Sequence, residues 1–299
     1  MRRISDRRGQ SGFTLVEMIV AITITAILSG IVALFIRVPL QGYFDVSRRA
    51  ELTDAADLAV RRIAREVQGS LPNSVRVTAV GGVQWLEFIE VRTGGRFREQ
   101  PSGGAVACAA GGAGAGFEDT LEVGFSDTCF RSFGAIPNRA GIVNGSDSVV
   151  VYNLGPGYTG ADAYASSNMN RAVVSNTVVG AGPNNEDRVE FAARTFPLAS
   201  PSRRFFVVSG PVTYECNPTT GELRRHSAYA LADAQPVPPA GASALLATGV
   251  TGCTISYAAN AVAQRAGVVS IDLALTRRDA AGNAETVRLF SQAHVGNSP

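Results

Sequence analysis

Between Met18 and Ile36 the chain runs for 19 residues without a charge, and one carboxylate, Glu17, stands at the head of that run. At about 1.5 Å per helical residue, the run reaches roughly the 30 Å thickness of a bilayer's hydrocarbon core. The surrounding stretch from Gly9 to Ile36 reads GQSGFTLVEMIVAITITAILSGIVALFI. A secretory signal peptide has a shorter apolar core with a small-residue cleavage site after it. Here the processing position, Ser11-Gly12 before Phe13, lies on the charged side, so cleavage there keeps the apolar helix. A carboxylate inside a membrane segment costs several kcal/mol unless it finds a partner, and such residues are usually functional. The plainer alternative for Glu17 is an ordinary membrane anchor whose carboxylate sits among the headgroups.

The segment before the run holds Arg2, Arg3, Arg7 and Arg8 against Asp6. By the positive-inside rule this basic leader places the N-terminus in the cytoplasm and the rest of the chain outside. Removing its net +3 from the formal +2 leaves −1 for the processed chain, which does not suggest nucleic acid as a partner. All 27 Lys-plus-Arg positions are arginine. The absence of lysine excludes Schiff-base chemistry and the phosphate loop that ends in Gly-Lys. Its plain cause is a GC-rich genome.

Four cysteines, Cys108, Cys129, Cys216 and Cys253, fall in the exported part, where a bacterial periplasm oxidises thiols. Three pairings are open in principle. Cys108 with Cys129 and Cys216 with Cys253 are favoured, because each pair brackets a local segment and closes a shorter loop. No C-x-x-C spacing exists, and only His226 and His294 are available to complete a zinc site.

Along the chain, Arg37 ends the uncharged run and Pro39 is expected to kink or restart the helix. Helical signals resume from about Leu40 to Ser70, with Leu52, Ala56, Ala59, Ile63 and Val67 at spacings of three and four. This half-buried helix is expected to carry a sheet. Arginines share the helix with Glu51, Asp54, Asp57 and Glu66, and Asp57 to Arg61 has the i,i+4 order of a solvated face rather than a DNA-binding stripe. Leu71-Pro72-Asn73 ends it.

Strand-like runs follow at Ser74 to Val80, Gln84 to Val91, Thr120 to Phe125, Ser148 to Asn153, Arg188 to Phe191, Arg204 to Cys216, Leu223 to Tyr229, Cys253 to Ala258, Gly267 to Arg277 and Glu285 to Val295. The last two flank DAAGNA, a hairpin-like connection. Gly103 to Gly116 reads as a surface loop clipped by Cys108; it lacks the strand, helix and G-K-[ST] of a phosphate cradle. Asn153 to Asn170 and Val179 to Asp187 read as loops, and Gln235 to Gly241, QPVPPAG, as a semi-rigid one.

Gly12, Phe13, Thr14, Leu15 and Glu17 match the motif G-F-T-L-x-E of type IV prepilins and type II secretion pseudopilins, and the chain resembles that superfamily. The resemblance implies cleavage between Gly12 and Phe13 by a prepilin peptidase, which also methylates the new Phe13 amine. It implies that Glu17 pairs with the N-terminal amine of a neighbouring subunit. It further implies an inner-membrane assembly platform and other major and minor pilins as partners, with the protein passing from the membrane to a surface pilus. No cofactor is implied.

The implied fold is α+β and pilin-like. It comprises a leader at 1–12, a membrane or filament-core helix at 13–36, an amphipathic continuation at 37–72 and a β-rich head at 73–299. Pro39 to Val77, Arg203 to Cys216, Thr251 to Tyr257 and the terminal FSQAHVGNSP look like the O-type minor pilins of MSHA (mannose-sensitive haemagglutinin) pilus systems, which group with J-type pseudopilins. K-type tip pseudopilins typically lack the carboxylate kept here as Glu17.

Three readings follow. The first is a minor pilin that helps pilus assembly and surface attachment, with a J-like secretion pseudopilin beside it. The second is a ligand- or calcium-binding adhesin head on a membrane anchor, for which Asp119, Asp127, Asp147, Asp162, Glu186 and Asp187 supply oxygens without a calcium-loop spacing. The third is a catalytic head, disfavoured by the lack of H-E-x-x-H, G-x-S-x-G or a base placed for a serine.

Overall fold

The computed structural model describes residues 12–99, 120–167, 169–182, 185–262, 266–279 and 282–299. The chain divides after Glu51 into two compact units, Met1–Glu51 and Leu52–Pro299. One helix, α1 (Leu15–Gln68), belongs to both. It is unbroken at Pro39, so the expected restart does not occur; the proline removes only the N–H that would have bonded the carbonyl of Phe35.

The second unit is built on the face of α1 that the spacing predicts. Leu52, Ala56, Ala59, Val60, Ile63 and Val67 are all buried, whereas Leu58 on another side is 70% exposed. The solvated side carries the i,i+4 pairs Asp57–Arg61 at 2.7 Å and Arg62–Glu66 at 3.0 Å. The strands are β1 (Arg76–Val80), β2 (Val83–Arg96), β3 (Ser126–Arg131), β4 (Ser148–Val151), β5 (Arg171–Gly182), β6 (Glu186–Thr195), β7 (Arg204–Asn217), β8 (Glu222–Ser227), β9 (Ala242–Thr248), β10 (Val250–Val262), β11 (Ala266–Arg278) and β12 (Ala284–Gly296).

They form a nine-stranded sheet in the order β1-β2-β7-β4-β5-β6-β3, with β8 beside β7 and β9 beside β8, and a three-stranded sheet β10-β11-β12. The pairs are antiparallel. On one edge β7 pairs with β2 along most of its length; on the other it pairs β4 through Phe205–Val208 and β8 through Thr213–Asn217. The change of partner falls at Gly210, which holds φ +128°, and at Pro211, which has no N–H to give.

Three apolar clusters result. The first packs the buried face of α1 between Leu86, Phe88, Val212 and Tyr214 of the large sheet and Ile255, Val269, Ile271, Leu273 and Val295 of the small one. The second gathers Phe97, Phe130, Phe191, Phe196 and Phe205; Phe130 meets Phe205 edge-on at 4.9 Å. The third, around Leu71, Ile89, Val150 and Tyr164, lines the region where β2 passes the end of α1 at the Ser70–Glu90 bridge. Beyond Gln68, Asn73 turns the chain at φ +60° and donates from its side chain to the carbonyls of Asn153 and Asn297, at 2.8 and 3.2 Å.

Several expected boundaries are corrected. Thr120 to Phe125 is not a strand: Gly124 holds φ +83° and the Asp127 carboxylate takes the Glu122 N–H, so pairing begins at Ser126. Val179 to Asp187 is not a loop but the meeting of β5 and β6, paired from Val174↔Phe191 to Gly182↔Glu186. The strands β3, β5 and β9 had no counterpart among the expected runs. In β5, valines lie on both faces, Val174 buried and Val173 half exposed, which hides the period of two. The sequence ASALLAT of β9 is built of helix-forming residues and is extended because it pairs along the edge of β8.

Candidate functional site

The N-terminal motif is built by a helix start. Gly12, Phe13 and Thr14 precede α1 without helical structure, and Phe13 is 86% exposed. Thr14 caps the helix: its Oγ1 accepts the N–H of Glu17 at 3.3 Å, and Glu17 Oε2 reaches back to the Thr14 N–H at 3.2 Å and the Thr14 hydroxyl at 3.1 Å. This is a capping box, in which two helix-start donors are satisfied reciprocally. The spacing T-x-x-E was legible in the sequence as such a box, and reading Glu17 only as an assembly residue missed it. Glu17 Oε1 takes no hydrogen bond among the described residues, so half of the carboxylate is uncommitted.

Behind the cap, Leu15–Ile36 is a 22-residue segment long and apolar enough to cross a membrane, and none of it is buried within the protein. Its hydroxyls are silenced internally, with Thr23 Oγ1 bonding the Ile19 carbonyl at 3.0 Å and Thr25 Oγ1 that of Ala21 at 2.7 Å. Ala21, Thr25 and Ser29 follow one another at i,i+4 and line a shallow groove, the kind of small-residue face by which apolar helices approach closely.

In the head, Cys216 of β7 and Cys253 of β10 form a disulfide with Cα atoms 6.3 Å apart, joining the two sheets. Cys129 is buried on β3; Cys108, the other half of its expected pairing, lies outside the described residues, as do the Gly103–Gly116 loop, Asp119 and the leader through Ser11. The described acidic residues weighed as calcium ligands each accept from the chain itself, although Asp147 Oδ1 and Glu186 Oε2 are buried without a partner among the described residues. Asp127 accepts from the backbone of Glu122, Thr128 and Cys129, and Asp147 from Val143 and Arg92. Asp162 accepts from Tyr164, and Asp187 from Ile136 and Gly180. Glu186 holds Arg98. Among the described residues no three His, Cys, Asp or Glu side chains converge as a metal set would require.

His226 is buried on β8 against Trp85 and shares a 2.8 Å hydrogen bond with Glu215, while His294 lies on the edge strand β12. The helix is tethered to the sheet by Glu66, which receives Arg225 of β8 at 2.8 Å. Burial would push the Glu66 carboxyl up, but the hydrogen bonds led by Arg225 outweigh it and hold the group below its ordinary value.

Comparison with protein families places the prokaryotic N-terminal methylation motif on residues 7–33. Neither the curated proteins nor the solved structures contain a match to this chain. An N-terminal methylation motif, continuous with an exposed apolar helix and followed by a head of antiparallel sheets, supports a type IV prepilin-like protein.

Proposed function

We propose that the chain is a minor pilin of an MSHA-like type IV pilus. The Gly12–Phe13 bond is cut by the prepilin peptidase and the Phe13 amine is methylated. The subunit waits in the inner membrane with its N-terminus cytoplasmic, and the assembly platform then draws it into the filament, where it aids assembly and surface attachment. The observation that carries the reading is the methylation motif at residues 7–33 running directly into the apolar segment Leu15–Ile36.

The local geometry supports the cleavage and the pairing of Glu17. The bond to be cut lies in an exposed stretch without helical structure, and a side chain added at Gly12 would meet nothing within 4 Å, so a peptidase can reach it. Once Phe13 is the first residue, its amine stands one residue from the Glu17 cap. The free Oε1 of Glu17 can then receive the amine of a neighbouring subunit, which satisfies a carboxylate that is otherwise costly in an apolar core.

Intact mass and N-terminal sequencing of the protein from sheared filaments and from inner membrane test this. A chain beginning at methylated Phe13 in the filament fraction is the expected result. A processed chain confined to the cell envelope would replace the pilus with a J-like secretion pseudopilus, and a chain still beginning at Met1 would refute both.

A further inference from the structure

Past the Ser70–Glu90 bridge, β2 continues to Arg96 and the chain then passes between two neighbours. Phe97 donates its N–H to the Arg203 carbonyl at 2.8 Å, and Arg98 donates to that of Arg131 at 3.1 Å. A cleft of about 560 Å³ opens there, lined by Arg96, Arg98, Arg203, Glu99, Phe133 and Pro201. Three of these six are arginines. Arg98 is fixed from beneath, its Nε and Nη2 each 2.7 Å from Oε1 of the buried Glu186. Arg203 pairs with Glu99 on the rim and holds φ +57°. Arg96 is exposed and has no carboxylate partner among the described residues, so one positive charge on the cleft is uncompensated.

The apolar wall is equally defined. Phe133 is 72% exposed, although its backbone is pinned by its N–H to the Arg96 carbonyl at 2.7 Å and by the Ser132 hydroxyl bonded to the carbonyls of Gly134 and Asp187. Its ring centre lies 6.0 Å from the Arg98 guanidinium. An exposed, held aromatic ring and a guanidinium without a carboxylate partner among the described residues line one cleft, offering a stacking surface and an anion fork.

We infer that this cleft is a binding site for an anionic saccharide, a sugar carrying a carboxylate or sulfate, whose ring lies on Phe133 while its acid group bonds Arg96. The ring of Phe133 is exposed rather than set at the bottom of an apolar hole, which suits the C–H face of a sugar better than a peptide side chain. The site is made only of head residues, so it stands or falls independently of processing and filament assembly.

The test is calorimetric titration of the full-length chain in non-ionic detergent with tri-galacturonate, with galactotriose as the neutral sugar and tri-aspartate as the sugarless anion. Binding of tri-galacturonate with Kd below about 1 mM is expected, with galactotriose and tri-aspartate each at least about tenfold weaker. Arg96→Gln and Phe133→Ala should each weaken it about tenfold or more at an unchanged melting temperature, whereas Arg288→Gln on β12 should not. If Phe133→Ala melts early, Phe133→Leu keeps the bulk without the ring face and should still lose the binding. No binding of tri-galacturonate, equal binding of tri-aspartate or galactotriose, or indifference to Arg96→Gln or to the Phe133 variants would each overturn the inference.

Discussion

Replacing Cys216 and Cys253 together by alanine removes the one covalent link the described structure shows between the nine-stranded and three-stranded sheets. Alanine avoids placing a hydroxyl at position 216, which is fully buried. The bond spans 37 residues of sequence, and closing a loop of that length in the unfolded chain accounts for about 4 kcal/mol of stabilisation on the chain-entropy view. For a head of this size each kcal/mol moves the melting temperature by roughly 2–4 °C, so a fall of about 10 °C is expected. Thermal unfolding of the full chain in non-ionic detergent, followed by circular dichroism, measures it. Dithiothreitol added to the unsubstituted protein should lower its melting point towards that of the double variant. A double variant that melts within about 2 °C of the parent would refute the reasoning, because the shared apolar cluster around α1 would then hold the sheets together without the bond.

Ile63, fully buried where α1 meets both sheets, should cost about 2–5 kcal/mol on change to alanine, read as an early melt of the whole head. Because the folded Glu66 carboxyl titrates below its ordinary value of 4.5, its contribution is present above about pH 4.5 and fades as the pH falls through the lower, folded value. The gap in melting temperature between the parent and Glu66→Gln should therefore be full at neutral pH and shrink on acidification; a gap constant with pH would contradict the Arg225 tether. Thr14→Ala should cost about 1 kcal/mol at the helix start while leaving the carboxylate in place, so the amount of subunit in sheared filaments should fall less than with Glu17→Ala. Equal losses from the two would mean that Glu17 acts only through the cap.

The sequence carried its message unevenly, for physical reasons. The apolar run and the face Leu52–Val67 were legible because one solvent condition acts along a whole helix and leaves a period behind. The motif from Gly12 to Glu17 was legible as a signal, yet the bond pattern inside it also followed a simple rule, T-x-x-E, once Thr14 is taken as the cap. What did not show was everything set by a neighbour far along the chain. β9 is extended because β8 offers it an edge, and the partner change in β7 depends on β4 and β8 arriving on either side of Gly210. The cleft at Arg96 lies in the same category: Arg96, Phe133 and Arg203 are strangers in sequence, and only the pairing of Phe97 with two neighbouring segments brings them together.

The Asn73 turn has a temporal consequence. Asn73, which turns the chain beyond the end of α1, is held by Asn297, 224 positions later, which takes the Asn73 N–H on its side chain and bonds Tyr257 as well. The small sheet that covers the other side of α1 is likewise made wholly from the last fifty residues, Val250 onward. In the order of synthesis the apolar face of the helix is made first and its cover last, and long-range closure of this sort is slow. Throughout that interval the half-made head has a bare hydrophobic stripe. Shortening the C-terminus by the final three residues, Asn297 among them, should leave the turn at Asn73 unlatched.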